Sequence, residues 1–515
     1  MPLKFRFEVS HARFCVIFAT VLYVACNAPN LGALARWFRS GESTDWLALS
    51  AFLFAGLCLF VAVFTLVAHR FVIKPLAILL TVLSCTATYF IAKYAVAIDS
   101  SMIRNTLHTD PTEVRQLLST QMIPYIVLLI VLPAAIIVPL KITFRPGGRY
   151  LLQSLMLFVA SFILALLALY SQYNAILRAG NVSNKYIVYS LVPINIISGS
   201  INVASRAMKP WFRRSQAEIQ VDARVESPGN LVVVLAVGES SRKKSFSLYG
   251  YTRRNTNPVL EKVEGLTLLD GIATRASTLY ALPKILEQDR VKLTTITSKA
   301  GIHTTCLVNY TLYDNCEAVG EKKSQNCRHG GKCYDEDVIP LLAEELRQYQ
   351  GGYRFVVLHL GGGSHGPMYA ERHPPEFQKF TPMCTDADVA NKCTLEELYN
   401  SYDNTILYVD HVLGAAIDTL ESSRAPYVFI YLSDHGESLM EDGMMFHGVP
   451  PGVSLPPEQA EIPLIVKSSV PVSIVPRAQY QQWDVFDSVL DLLSIRAVGF
   501  DRAGSFIKKS AAEAE

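Results

Sequence analysis

The first third of this 515-residue chain contains five stretches without a charged residue: Phe14–Ala35, Trp46–Ala68, Pro75–Ala92, Met122–Leu140 and Tyr150–Leu177. A helix needs ~20 apolar residues to cross the hydrocarbon core of a bilayer, and a run of ~18 or more is a candidate span. One such run could be a core helix of a soluble domain. Five in succession predict an N-terminal α-helical membrane domain of five transmembrane helices over residues 1–177. Asn27, Pro29 and Asn30 interrupt the first run, which reads as a retained anchor rather than a cleaved signal peptide.

Basic residues set the expected orientation. Lys4, Arg6 and Arg13 precede the first run, His69, Arg70 and Lys74 separate the second from the third, and Lys141, Arg145 and Arg149 separate the fourth from the fifth. All three groups share one side if the N-terminus is cytoplasmic. The opposite loops mix Arg36, Arg39, Lys93, Arg104 and Arg115 with Glu42, Asp45, Asp99, Asp110 and Glu113. Five crossings then place everything after Leu177 outside the cytoplasm. Cysteine usage agrees with that compartment. Cys15, Cys26, Cys58 and Cys85 lie in the apolar runs, whereas Cys306, Cys316, Cys327, Cys333, Cys384 and Cys393 form close-set pairs near the C-terminus. An even number in such pairs suits disulfides, with neighbours joined as 306–316, 327–333 and 384–393, although six cysteines allow fifteen connectivities. No Cys-x-x-Cys pair supports a zinc ribbon. A net charge of only +2 implies no nucleic-acid partner.

Residues 178–226 read as a bridge, with a helix-like stretch at Tyr186–Ile197 and a charged segment from Lys209 to Glu226. Residues 227–515 change character to soluble α/β. Apolar, β-branched runs at Leu231–Val237, Lys292–Ile296, Phe355–Leu360, Tyr427–Leu432 and Ile462–Val466 predict buried strands of a mainly parallel sheet. Helical spacing at Ile339, Leu342 and Leu346, and from Leu398 to Leu413, fills the intervals. In such sheets ligands bind beyond the carboxyl ends of the strands.

The residues at those ends carry chemistry. The first strand leads into Gly238-Glu239-Ser240, the third into the glycine run before Ser364-His365-Gly366, and the fourth into Ser433-Asp434-His435-Gly436-Glu437, with Phe446-His447-Gly448 further on. Acids and histidines therefore collect at one sheet edge, a donor set that suits zinc or manganese. Ser277 or Thr278 could simply cap a helix. Ser240 and Ser241, next to Glu239, are rival nucleophiles by spacing.

In combination these motifs resemble the lipid A-type phosphoethanolamine transferases, a group that includes the colistin-resistance enzymes and belongs to the alkaline phosphatase/sulfatase superfamily. The matching pieces are Gly238-Glu239-Ser-Ser-Arg242, Phe246 to Tyr251, Asn257-Pro258, Ser277-Thr278 to Pro283, Ser364-His365-Gly-Pro367, Pro374 to Phe377, Phe380-Thr-Pro382, Tyr402 to Thr405, Ser433 to Ser438, His447-Gly448 and, in the membrane half, Asp99 to Asn105. The resemblance implies an alkaline-phosphatase-like catalytic domain outside the inner membrane of a bacterium, in the periplasm. It implies Glu239, Asp434, His435 and Thr278 as ligands of a zinc ion, with Thr278 also the nucleophile. His365, His447 and Glu437 then border the phosphate site, the place for a second zinc if one is used. Phosphatidylethanolamine is the implied donor, and lipid A phosphate or another lipopolysaccharide glycan the acceptor. A monomer is expected.

Two departures from the family pattern stand out. The cysteines that flank the nucleophile in relatives are replaced by Thr274 and Lys284, which leaves Cys306–Cys316 to steady that loop from elsewhere. The histidine loop is one residue longer, which makes His359 the fallback for His365. Alternatives on the same fold are a phosphoglycerol transferase and a sulfatase-like hydrolase. No Cys/Ser-x-Pro/Ala-x-Arg motif follows the Glu239 strand, which argues against the latter. The alternative of another class is a membrane-anchored sensing or binding module without catalysis.

Overall fold

Four helices of the N-terminal part are long and apolar enough to cross a membrane: α1 (His11–Asn27, extended by a 3-10 turn to Asn30), α2 (Trp46–Val67), α3 (Ile73–Tyr94) and, after a shorter helical stretch α4 (Met122–Ile137), α5 (Arg149–Ser171). The computed structural model describes residues 8–509 apart from Gly41, 95–97, 109–121, Gly147, 183–185, 213–220, 310–312, 325–326, 328–331, Gly362, Ala387 and 450–453. The chain divides into two units, Met1–Arg214 with Val449–Ser454, and Ser215–Gly448 with Leu455–Glu515.

The expected five spans are corrected to four among the described residues. The run Met122–Leu140 yields only α4, whose middle, Val127–Val131, is π-helical. Prolines at 124 and 133 explain its form, because proline removes a donor from the helical ladder. Pro133 cannot bond the Leu129 carbonyl, which accepts the Cys85 thiol at 3.1 Å instead. At 1.5 Å per residue, the described residues of α4 span about 24 Å against a core of about 30 Å. The break after α1 is built by Asn27, whose side chain donates to the Tyr23 and Val192 carbonyls (2.8 and 2.6 Å) and accepts from the Val192 amide (3.1 Å). Helices α2 and α5 meet over Ala55, Cys58 and Ala165, small side chains that let backbones approach. The helix-like stretch 186–197 is divided into a single turn, Tyr186–Tyr189, and α6 (Ile194–Phe212).

The second unit is built on an eight-stranded sheet. Its strands are β1 (Leu231–Gly238), β2 (Thr267–Ile272), β3 (His303–Val308), β4 (Glu321–Lys323), β5 (Tyr353–Leu360), β6 (Tyr427–Ser433), β7 (Glu461–Ser468) and β8 (Tyr480–Gln481). Their spatial order is β4-β3-β5-β1-β6-β7-β2-β8. From β4 to β6 all neighbours are parallel; β7 runs antiparallel to β6 and β2. Every residue of β1 is buried, as expected for a central parallel strand covered on both faces. The expected strand at Lys292–Ile296 is instead the start of helix α8 (Leu293–Lys299), which follows α7 (Thr278–Leu286). Leu293, Ile296 and Thr297 bury a single helical face there, and a short apolar run does not by itself distinguish that face from a buried strand. Strands β2, β3, β4 and β8 lie outside the expected set. Helices α9 (Ile339–Arg347) and α10 (Leu395–Ser423) match expectation, the latter opened by a capping box of Thr394 and Glu397.

The three cysteine pairs are disulfides joined by neighbours. Cys306 and Cys316 belong to the same core as Leu282 and Ile285 of α7, and the turn ending in Cys316 packs against that helix. The helix bearing Thr278 is thus braced from this side, while its flanking positions, Thr274 and Lys284, carry no cysteine.

Candidate active site

Strand register explains why the expected residues converge. Gly238 at the end of β1 pairs with Leu360 of β5 on one side and Ser433 of β6 on the other. Three parallel strands therefore stop level, and Glu239, the loop to His365, and Asp434-His435 all start from one edge. His447 arrives by another route. Ser438–Leu439 pairs antiparallel with Met445–Phe446, with Ser438 opposite Phe446, so the hairpin folds His447 back over Glu437.

Glu239, Asp434 and His435 are buried, and one ligand-type atom from each lies within 4.8 Å of the others. The His435 ring bonds the Gly436 carbonyl through Nδ1 at 2.9 Å. A carbonyl can only accept, so Nδ1 carries a proton, and Nε2, when it carries none, presents a lone pair. That lone pair faces Asp434 Oδ2 at 3.4 Å and Glu239 Oε1 at 3.5 Å. Neither His435 Nε2 nor Asp434 Oδ2 has a hydrogen-bond partner. Three buried acceptors turned toward one another repel unless a cation lies among them. Burial, and then the charge of Asp434, raise the Glu239 carboxyl above its ordinary value, with His435 and His365 opposing.

Thr278 is the first residue of α7, half-buried, and its hydroxyl donates to Glu239 Oε2 at 2.8 Å. Neither it nor Ser277 caps the helix through its side chain. Ser240 is fully buried; its hydroxyl donates to Glu239 Oε1 (2.7 Å) and its amide to Asp434 Oδ1 (3.0 Å). With φ at +55° its backbone is held in the left-handed region. Ser241 donates to the main-chain carbonyl of Glu239. Of the three hydroxyls, only that of Thr278 belongs to a partly exposed residue.

A second group lies alongside: His365, Glu437 and His447. Glu437 Oε1 accepts from the Gly366 amide (3.1 Å) and the Tyr369 hydroxyl (3.0 Å). Its Oε2 has no hydrogen-bond partner and lies 4.0 Å from His447 Nδ1. Burial pushes Glu437 up to about 7, against the pull of His365 and His435. Burial, followed by His435, His365 and Arg372, holds His447 well below its ordinary value. The groups adjoin: the His447 ring is 4.4 Å from that of His435 and 4.7 Å from that of His365, whose Nδ1 is 3.8 Å from Glu239 Oε1. His359 sits apart, fully buried within β5 and paired with Val237 and Val308.

Several supporting residues escaped the sequence reading. Tyr402 of α10 donates its hydroxyl proton to the Ser240 carbonyl (2.7 Å) and accepts from the Arg242 amide (3.0 Å), which fixes the bend after β1. Tyr369 donates to Glu437, and the Gln482 amide donates to the Asp434 carbonyl. Only distance in the fold shows their part; Tyr402 alone had a signal, in the Tyr402–Thr405 motif.

Comparison with known proteins agrees with this arrangement. Residues 56–208 match the family model described as phosphoethanolamine transferase EptA/EptB, and residues 231–495 match the sulfatase family model. The chain is 32% identical over 440 residues to phosphoethanolamine transferase EptA of Salmonella typhimurium, covering 79% of this chain and 77% of that one. It is 30% identical to phosphatidylethanolamine transferase Mcr-1 of Escherichia coli, covering 92% of both. Its fold superimposes on the integral membrane protein lipooligosaccharide phosphoethanolamine transferase A from Neisseria meningitidis with a TM-score of 0.85 and 27% identity, over 95% of this chain and 96% of that one. With these matches over more than two thirds of its length, the chain belongs to the EptA/EptB family of phosphoethanolamine transferases.

Proposed function

We propose that the protein transfers phosphoethanolamine from phosphatidylethanolamine to a phosphate or hydroxyl of lipid A or a related envelope glycan, with Thr278 as the nucleophile. The observation that carries this reading is the Thr278 hydroxyl at 2.8 Å from Glu239, beside buried acceptors of Asp434 and His435 that lack hydrogen bonds. This donor set of two carboxylates and a neutral imidazole fits a zinc ion, with Thr278 as a further ligand. When bound, such an ion lowers the pKa of a coordinated hydroxyl and stabilises charge on a phosphoryl group.

In the first half-reaction Thr278 Oγ1 attacks the phosphorus, the bond from phosphorus to the diacylglycerol oxygen breaks, and diacylglycerol leaves as the alcohol with the proton that the threonine released. In the second half-reaction an acceptor oxygen attacks the phosphoethanolamine–threonine ester, the bond from phosphorus to Oγ1 breaks, and Thr278 regains a proton. His365 and His447 border the transferring group and are placed to move these protons. Their group with Glu437 has the donors for a second ion. Ping-pong kinetics follow.

This reading keeps the division into membrane residues 1–177, bridge 178–226 and catalytic residues 227–515, and a monomer. It places the catalytic residues in the periplasm, on the outer face of the bacterial inner membrane, which the three disulfides support. Anchoring confines enzyme, donor and acceptor to one surface and raises their effective concentration. The test is mass spectrometry of lipid A from cells expressing wild type or Thr278→Ala. The expected result is one added phosphoethanolamine with wild type and none with the variant; its survival in the variant refutes the nucleophile.

A further inference from the structure

The site that leaves buried acceptors unpaired also leaves buried guanidinium donors unpaired, on Arg242 and Arg372. Arg372 follows the 3-10 turn Tyr369–Glu371, and its Nε–H donates to the main-chain carbonyl of His365 at 2.8 Å. That bond fixes the guanidinium against the loop that carries His365. Its Nη2 is buried and has no hydrogen-bond acceptor. A guanidinium has five N–H donors and stays charged, and an unmet buried charged donor is costly.

Arg242 also has a buried Nη2 without an acceptor, but the charge of its guanidinium is met. It pairs with Glu441 at 2.6 Å and lies over the rings of Tyr399 and Tyr402, at 5.3 and 5.1 Å. Arg372 has neither a carboxylate partner nor a ring beneath it among the described residues. A second cation stands close. Lys332 Nζ is held by the Glu371 carbonyl at 2.5 Å, 5.1 Å above the Tyr334 ring. Burial and then Arg372 hold Lys332 below its ordinary value, and Glu371 offsets part of that.

We propose that Arg372 anchors a phosphate oxygen of a lipid substrate at the His365 edge of the site, with Lys332 adding positive charge. The proposal rests on the transferase reading. The forked N–H groups of arginine match two oxygens of a phosphate, which a lysine cannot reproduce. A phosphodiester of the donor and a phosphate monoester of the acceptor share this chemistry.

The test uses the full chain in detergent micelles, with zinc, and phosphatidylethanolamine bearing a fluorescent acyl chain. Diacylglycerol release is followed alone and with lipid A carrying two phosphates. Arg372→Gln is expected to raise KM by about 10- to 100-fold for the lipid whose phosphate is held, with kcat changed less than about threefold. Arg372→Lys recovers part of the loss. A rise in donor KM without acceptor assigns the donor phosphodiester; a rise confined to lipid A assigns the acceptor phosphate. Unchanged KM values for both lipids, in a variant with wild-type Tm and zinc content, overturn the anchor. If Arg372→Gln does not fold, Arg372→Lys decides by the same two KM values. A wild-type protein that releases no diacylglycerol overturns the transferase reading and the anchor with it, whereas an active wild type with an indifferent variant overturns the anchor alone.

Discussion

Glu441→Gln should loosen the hairpin that delivers His447. Glu441 lies in the turn of that hairpin, and its Oε1 accepts from Arg242 Nη1 (2.6 Å) and the Tyr399 hydroxyl (3.0 Å), while Oε2 accepts from the Leu439 amide. The substitution keeps the size and one acceptor but removes the charge opposite a guanidinium that is fully buried. Breaking a buried pair by removing one partner costs about 3–5 kcal/mol, and a hydrogen bond to a charged group is worth about 1.5–3 kcal/mol. The Glu441 side chain is 18% exposed and the Arg242 guanidinium keeps two aromatic faces, which puts the cost at the low end, about 3 kcal/mol. For a unit of this size that is ~6–10 °C in Tm. Scanning calorimetry of the full chain in detergent measures it. Arg242→Met combined with Glu441→Gln removes both charges and should lose clearly less than the two single losses added together. A Glu441→Gln midpoint within about 1 °C of wild type, or strict additivity in the double variant, would refute the reasoning.

The same pair has an acid signature. Burial raises the Glu441 carboxyl, but Arg242 and the Leu439 amide outweigh it, so the folded value lies below the ordinary 4.5. A depressed carboxyl adds stability that is present above the unfolded pKa and lost as pH falls through the folded one. The Tm gap between wild type and Glu441→Gln should therefore be full above pH ~5 and close on further acidification, as a pH series of scans would show. Zinc added after chelation should raise the wild-type Tm, by the equivalent of about 2.7 kcal/mol at a hundredfold excess over Kd, and Asp434→Asn should lose most of that rise. An equal rise in the variant counts against the ligand set. Gly436→Ala should cut turnover by about a hundredfold or more, because a Cβ there would lie 2.2 Å from the Glu458 carbonyl oxygen and 3.0 Å from Arg242 Cβ, displacing His435 and Glu437 together. Lipid A mass spectrometry would show it, and near wild-type activity would contradict it.

What could be read before the fold was known depended on how locally each feature is encoded. Strands β1, β5 and β6 are buried on both faces, so they announce themselves as unbroken apolar runs that end at glycine or serine. Glu239, His365, Asp434 and His435 stand just beyond those ends and were legible for that reason. Residues 293–299 show the limit, since a short apolar run does not say whether one helical face or two strand faces will be buried. In α4 the charge-free run says nothing of Pro124 and Pro133, whose missing donors accompany its π-helical middle. Tyr369 and Arg372 follow His365 closely in the chain, yet their residue types alone do not say that one will bond Glu437 and the other the His365 carbonyl.

The sequence by itself determined a helical membrane part, an α/β catalytic part and the residue types able to hold a metal and a phosphoryl group, because hydropathy, periodicity and motif chemistry are local properties. Tertiary structure alone decided that Gly238, Leu360 and Ser433 end in register, that Thr278 meets Glu239 rather than capping its helix, that His365 and not His359 joins Glu437 and His447, and that four helices among the described residues have full span. Strand register, hairpin closure and proline-broken hydrogen bonding depend on which distant segments pack together, and no single segment carries that information.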